Sequence, residues 1–329
     1  MTDLAQPARN GGLGPVRSGV PWTTALGNLL NLSGPLLVAP LCVLAGLLGF
    51  TTYASYGSDA ALGIAVGAAA VVAMAQTLIL AARPRLLEPL FGGLDRMYRV
   101  HKWLGISAMV LMILHQQIEP DFERTVRETG LGELAEEAGE VAFNALLVLI
   151  AISWFRRVPF MPLEIPYQLW RFSHRFMGVL FAIIVFHQFF VDMPTGVDPS
   201  LSVMLNTFGL AGVSAWVYTE FVAPRLRRRE FTVRDISRHD DTTAVTLSPK
   251  GRTMRWRPGQ FVFFCVPDAG FSEPHPFTIA SAPRPDGALT LSIKGLGGWT
   301  RRLPDALRTG MRVQVEGPYG RFDFRKGGA

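Results

Sequence analysis

The sequence predicts an α-helical membrane bundle of six spans followed by a small antiparallel β-barrel. Three observations carry that expectation. Hydrophobic residues make up 49% of the 329-residue chain and charged residues only 18%, a balance unusual for a soluble protein of this size. Nearly all the long apolar runs fall between residues 35 and 222. From 225 to 329 the pattern changes to short alternating segments punctuated by turn residues, as in a separate soluble unit.

In chain order, residues 1–34 read as an amino-terminal tail, with Gly, Pro and Arg interrupting any signal-peptide core between Met1 and Pro21. Six apolar segments follow at 35–54, 60–82, 98–118, 140–156, 166–191 and 201–222. Most reach the roughly 20 residues that cross a hydrocarbon core as a helix, and the fourth is short. Their backbone amides must be satisfied within each segment, so helix is the expected state. Arg83, Arg85, Arg96, Arg99 and Lys102 cluster between spans two and three, and Arg156, Arg157, Arg171 and Arg175 between four and five. These basic loops belong inside, together with Arg225, Arg227, Arg228 and Arg229 after span six. The loop from Glu119 to Glu140 is acidic and belongs outside. The expected protein is therefore a multi-pass cell-membrane protein with both termini cytoplasmic. Its net charge of +6 gathers at the inner face, where the partner is anionic membrane lipid and not nucleic acid. Cys42 and Cys265 lie in different units, so neither a disulfide framework nor a cysteine metal site is supported.

Four of the six histidines sit inside spans: His101 and His115 on the third, His174 and His187 on the fifth. Ionisable side chains are rare in membrane helices and face a bundle interior, a cavity or a cofactor. At about 1.5 Å per residue the two spacings place the members of each pair roughly 20 Å apart along the helix. Each helix thus offers one imidazole at each of two matched depths. Haem iron takes axial ligands on opposite faces, so His101 with His174 and His115 with His187 would hold two b-type haems. On an ideal helix a 13-residue step ends roughly 140° away from its start, so the second helix must over-wind or bend. Zinc suits the pattern less well, because the two levels are too far apart to share an ion, and a proton relay would leave the matched depths unexplained.

With these pairs on the third and fifth of six spans, the chain resembles the ferric reductase and NADPH oxidase superfamily. The resemblance implies that His101, His115, His174 and His187 ligate an inner and an outer haem. Leu94-Asp95-Arg96-Met97-Tyr98-Arg99-Val100-His101-Lys102 is similar to the basic start of that family's third helix. Its arginines read first as topology signals, with haem propionates as a secondary role for Arg99 or Arg175.

In the second unit, residues 230–237, 242–248, 260–267, 288–294 and 311–316 have the composition of short strands, and a small barrel is their economical closure. Gly297-Gly298-Trp299-Thr300 opens a short helix whose amides could meet a phosphate, with Lys294 nearby. Three segments in order, Pro258-Gly259-Gln260-Phe261, His275-Pro276-Phe277-Thr278-Ile279-Ala280-Ser281 and Ile293-Lys294-Gly295-Leu296-Gly297-Gly298-Trp299-Thr300, resemble the ferredoxin reductase-type FAD-binding barrel in its NADPH oxidase variant. The resemblance implies that His275, Pro276, Phe277 and Thr278 border the flavin and ribityl chain. It implies that Lys294, Gly298, Trp299 and Thr300 form the pyrophosphate segment, Gly298 standing where animal oxidases commonly have an acid.

The resemblance spans about 35 to 325 and implies an enzyme moving electrons from cytoplasmic reduced FAD through two haems to an acceptor at the outer face. Oxygen, a ferric chelate and a partner protein are the candidate acceptors. Animal oxidases have a further histidine where this chain has Glu119, which weakens the oxygen reading. The family usually continues after Gly317-Pro318-Tyr319-Gly320 into a nicotinamide-binding domain. The expectation here is NAD(P)H as donor, with that domain absent and a separate nicotinamide-binding reductase as a candidate partner. The alternative is a haem-containing relay subunit that passes electrons to another protein.

Overall fold

The computed structural model describes residues 22–118, 122, 126–127, 129–154 and 165–321. The stretch through Pro21, Glu119, Arg156 and Arg157 lie outside the described residues. The first unit is helical: α1 (Trp22–Tyr53), α2 (Ser58–Ala81), the short α3 (Glu88–Phe91), α4 (Leu94–Gln117), α5 (Gly132–Trp154), α6 (Tyr167–Arg175), α7 (Met177–Phe190), α8 (Ser200–Val217) and α9 (Ala223–Arg227). Two short strands, β1 (Val126–Arg127) and β2 (Met193–Pro194), pair antiparallel at the end remote from the second unit. Among the described residues, four stretches are long and apolar enough to cross a membrane: Leu36–Tyr56, Ser58–Ala81, Gln168–Phe190 and Ser200–Arg227. Helices α4 and α5 have 24 and 23 residues but open on charged turns, with Asp95, Arg96, Arg99 and Lys102 in one and Glu133, Glu136, Glu137 and Glu140 in the other.

Small residues set the helix packing. A Cβ placed on Gly49 of α1 would lie 2.9 Å from Ala65 Cα of α2, so these two backbones meet directly. In a hydrocarbon solvent such close approach is what holds helices together, because apolar burial supplies no net drive there. Ala45, Ala68, Val72, Ala75, Ala108 and Ala142 lie in the buried core of the bundle.

Three helix limits differ from the sequence reading, each for a local reason. Helix α1 begins at Trp22, inside the stretch read as tail, although its apolar crossing part starts at Leu36. Helix α5 begins at Gly132, because its glutamates occupy the first turns, where a helix dipole favours carboxylates. The single fifth span is two helices that meet at Phe176, whose N–H bonds to Ser173 O three residues back at 3.0 Å. A turn tightened in this way supplies part of the over-winding that a 13-residue ligand spacing requires.

The second unit is a six-stranded antiparallel sheet in the order β6-β5-β8-β3-β4-β7. Its strands are β3 (Arg228–His239), β4 (Thr242–Pro249), β5 (Phe261–Val266), β6 (Phe271–Thr278), β7 (Leu289–Lys294) and β8 (Arg312–Tyr319), with helix α10 (Gly298–Ala306) after β7. The outer strands approach each other at one bridge, Ile279 opposite Leu291, where Ala280 N–H donates to Thr290 O at 2.8 Å. Phe231, Val245, Leu247, Phe264, Leu291, Leu303 and Val315 fill the interior. Strand β6 is not among the strands expected from the sequence; it carries Pro274 and Pro276 and lies at the sheet edge, where prolines are tolerated.

The two units meet in a mixed apolar and ionic contact. Tyr319 of β8 packs in one cluster with Val38, Leu80, Phe91, Leu94 and Met97 of the helical unit. Arg83, just past α2, reaches Glu316 of β8 at 3.1 Å, and Tyr319 Oη donates to the same carboxylate at 2.6 Å. Burial pushes the Tyr319 phenol above its ordinary range. Arg227 donates to Ala82 O at 2.6 Å, tying the end of the last helix to the end of α2.

Candidate functional site

All four span histidines are fixed by hydrogen bonds through the same ring nitrogen. His101 Nδ1 bonds to Thr77 O at 2.9 Å and His115 Nδ1 to Gly63 O at 2.9 Å, both on α2. His187 Nδ1 bonds to Ala135 O of α5 at 2.8 Å. A carbonyl only accepts, so Nδ1 carries the proton in these three rings. His174 reaches the same state by another route. Ser153 Oγ donates to Leu149 O at 2.8 Å and thereby accepts from His174 Nδ1 at 3.2 Å. Among the described residues, Nε2 of each ring has no hydrogen bond and keeps its lone pair. This is the tautomer of a metal-ligating histidine whose other nitrogen is held by a backbone or hydroxyl partner.

Glycines make room for the two rings further from the sheet. Gly67 lies four residues beyond Gly63, and a Cβ there would come within 2.8 Å of His115 Nδ1. Gly139 stands in the same relation to Ala135, and its Cβ would lie 2.6 Å from His187 Nδ1. The bonding carbonyl and the glycine one turn later therefore form the same cradle on α2 and on α5. The sequence reading missed both cradles. Their signal is a small residue four positions after the accepting carbonyl, which means nothing until the partner helix is known.

Across the bundle His101 and His174 face each other, with ring centroids 6.2 Å apart and planes at 65°. Two imidazoles bound on opposite sides of one metal, with metal–nitrogen bonds of about 2.0–2.1 Å and roughly 1.1 Å from nitrogen to ring centre, would stand about 6.3 Å apart. Trp170 stacks on His174 at 5.2 Å and 17°. His115 and His187 line a common cavity of about 1110 Å³, walled by Tyr53, Met74, Met112 and Phe143 and rimmed by Glu133, Glu136, Glu137 and Glu140. His101 with His174, and His115 with His187 across their shared cavity, would each hold a haem, whose iron would supply one-electron chemistry there. Of the arginines considered for propionates, Arg99 pairs with Asp95 at 3.6 Å and Arg175 pairs with Glu220.

Of the second set of residues singled out in the sequence, His275 and Phe277 lie against Trp299. Its ring lies 4.3 Å from that of His275 and 5.9 Å from that of Phe277, stacked on the latter at 28°. Among the described residues, His275 Nε2, Glu273 Oε1 and Trp299 Nε1 are buried with no hydrogen bond, and His275 Nε2 lies 3.6 Å from Glu273 Oε2. Strand alternation divides the expected flavin border. His275 and Phe277 are half-buried on one face of β6, while Pro276 and Thr278 are exposed on the other. At the start of α10, Thr300 Oγ1 accepts from the N–H groups of Leu296 and Gly297 at 3.0 and 2.9 Å, which shapes the turn that contains Gly298. Lys294 pairs with Asp241 at 3.4 Å, both side chains being exposed. The Asp241 carboxyl is held below its ordinary range, first by the Thr242 hydroxyl and also by Lys294.

Strand β6 also touches the helix that carries a candidate ligand. Gln168 of α6 donates to Glu273 Oε2 at 3.5 Å, and Arg171 lies 4.0 Å from Glu273 Oε1. His174 lies six positions after Gln168, so the two candidate sites are neighbours across the junction of the units.

Comparison with known proteins matches residues 66–185 to the ferric reductase like transmembrane component and residues 226–323 to an FAD-binding domain. The reductase subunit Stc4 of stachydrine N-demethylase from Rhizobium meliloti is 40% identical over 79 residues, covering 23% of this chain and 22% of the relative. Ferric/cupric reductase transmembrane component 2 of Saccharomyces cerevisiae is 35% identical over 88 residues, covering 25% and 12%. Dual oxidase 2 of Sus scrofa is 24% identical over 257 residues, covering 67% of this chain and 16% of the relative. The chain therefore spans about a fifth of the relatives' length or less in these matches. A ferric reductase like transmembrane component and an FAD-binding domain are thus matched in that order along the chain, and ferric reductases and NADPH oxidases are among its relatives.

Proposed function

We propose that the protein carries electrons across the membrane, from reduced FAD at the cytoplasmic face through two b-type haems to an acceptor at the outer face. The observation that carries this reading is the shared tautomer of His101, His115, His174 and His187, each anchored at Nδ1 with Nε2 unengaged. The bound groups supply the one-electron chemistry when present. The chain's own residues fix their positions. Helix α2 orients the two ligands of α4, and α5 orients those of α6 and α7. Six spans, with α4 and α5 among them, are required for this arrangement, and the basic loops support a cytoplasmic flavin domain. NAD(P)H is the proposed donor to the flavin.

His275, Phe277 and Trp299 are proposed to hold one part of FAD, with Pro276 and Thr278 on the adjoining exposed face. Lys294, Gly298 and Thr300 are proposed to receive its pyrophosphate, the lysine exchanging Asp241 for phosphate. The sheet is read as the family's barrel on the strength of its single closing bridge. Four glutamates at the rim of the outer cavity favour a cationic or metal-bearing acceptor and oppose anionic products, which supports ferric reduction over superoxide release.

The test is spectroscopic. Purified protein should show a low-spin bis-imidazole b-type spectrum, and His→Leu at any one of the four positions should remove or disturb one haem. An unchanged haem content in all four variants would overturn the assignment. Reoxidation of the reduced protein by ferric chelates and by oxygen, compared at equal concentration, decides the acceptor.

A further inference from the structure

The surface between the units carries a feature that neither the haem nor the flavin site uses. A cleft of about 460 Å³ is lined by Arg85, Glu88 and Pro89 from the α2–α4 connection and by Arg255, Arg257 and Arg321 from the sheet unit. The charges are poorly balanced. Among the described residues Glu88 is the one carboxylate lining the cleft, and it is engaged by Gly320 N–H at 2.8 Å. Arg85 and Arg321 each donate to a backbone carbonyl, Gly317 O and Pro89 O, which fixes them without neutralising them. Arg255 and Arg257 are exposed and, among the described residues, their guanidinium groups have no partner. Arg229 stands close by, held below its usual range first by burial and then by the positive charges of Arg85 and Arg252. Four arginines line the cleft, at 85, 255, 257 and 321, with Arg229 and Arg252 adding positive charge beside Arg85, and such a group repels itself unless an anion joins it.

The location selects the kind of anion. Arg85 follows the end of the span Ser58–Ala81 by four residues, and Arg229 follows the span Ser200–Arg227 by two. Leu86 and Leu226, the neighbours of this basic rim, are 88% and 70% exposed. Apolar side chains presented outward beside arginines at the end of a membrane span match a surface whose apolar residues enter the bilayer while its cations meet headgroups. Guanidinium forks bind phosphate oxygens in pairs, which suits phosphate over a carboxylate or a diffuse counterion.

We infer that this cleft is a phosphate-binding site between the membrane bundle and the flavin domain, and that its ligand is the headgroup of an anionic phospholipid. It would tie the flavin domain to the membrane at a point separate from the Arg83–Glu316 contact. The other source of the same chemistry is a soluble phosphate compound.

The experiment uses the full chain purified in detergent. Native mass spectrometry follows retention of phosphatidic acid and phosphatidylinositol phosphate against phosphatidylcholine, and calorimetry follows inorganic pyrophosphate. Arg255→Gln/Arg257→Gln should reduce retention of both anionic lipids at least tenfold, since each lost charge-assisted bond is worth about one such factor. Phosphatidylcholine should be unaffected. Arg234→Gln/Arg238→Gln removes the same net charge from arginines already paired with Asp286 and Asp305, and should leave retention at the parent level. Retention that is equal in the parent and the Arg255/Arg257 variant, or lowered equally by the control variant, overturns the site. Tight pyrophosphate binding that depends on Arg255 and Arg257, without selective lipid retention, overturns the lipid as ligand and assigns the cleft to a soluble phosphate compound.

Discussion

Replacing Arg83 by Met should loosen the flavin domain from the membrane bundle far more than removing both charges of the contact. Arg83 and Glu316 lie 3.1 Å apart with 17% and 6% of their side chains exposed, so neither charge is well hydrated. The guanidinium also lies 5.0 Å from the Phe263 ring centre and 5.5 Å from that of Tyr319. Removing the arginine leaves the Glu316 carboxylate buried with the Tyr319 hydroxyl as its remaining partner. A one-sided deletion of this kind costs about 3–5 kcal/mol, roughly 150- to 5000-fold in an equilibrium. Replacing both members by Met removes the desolvation cost along with the attraction, and such exchanges are often neutral or stabilising. The expected cycle is a large loss for Arg83→Met, a large loss for Glu316→Met, and recovery of most of it in the double variant. The assay is the denaturant midpoint of the detergent-solubilised protein followed by tryptophan fluorescence, alongside protease cleavage at the α9–β3 junction. A stable Arg83→Met variant, or a double variant whose loss equals the sum of the two singles, would refute the buried-pair account.

Gly67→Ala and Gly139→Ala should each displace one outer imidazole, because the added Cβ would sit 2.8 or 2.6 Å from its Nδ1. Outer-haem content should fall while the inner spectrum persists, and two normal haems in both variants would show that the cradles are not needed. Ser153→Ala removes the hydroxyl that receives His174 Nδ1 and should weaken inner-haem affinity by roughly 10- to 100-fold, measured by haem titration of the apoprotein. Thr278→Ala and Lys294→Ala should each weaken FAD binding by about 1–3 kcal/mol with haem content preserved, and equal affinity in both variants and parent would show the flavin site to be misplaced.

The order of a membrane part and a soluble part was legible in the sequence, because hydropathy and its period are local properties of the chain. The matched depths of the four histidines were legible too, since helical rise converts residue spacing directly into distance. That His275 and Phe277 would lie against Trp299 was not legible in the segments that contain them, nor was the division of β6 into two faces. Tertiary structure alone decided the break at Phe176, the use of the edge strand β6 despite its prolines, and the pairing of Arg83 with Glu316. It also decided which atoms hold the imidazoles. Gly63, Thr77, Ala135 and Ser153 carry no mark that singles them out in the chain, and their roles come from helices packed across 21 to 52 positions. A backbone carbonyl looks the same at every residue, so which one meets a histidine is fixed only when close packing of small side chains sets how the helices lie against each other.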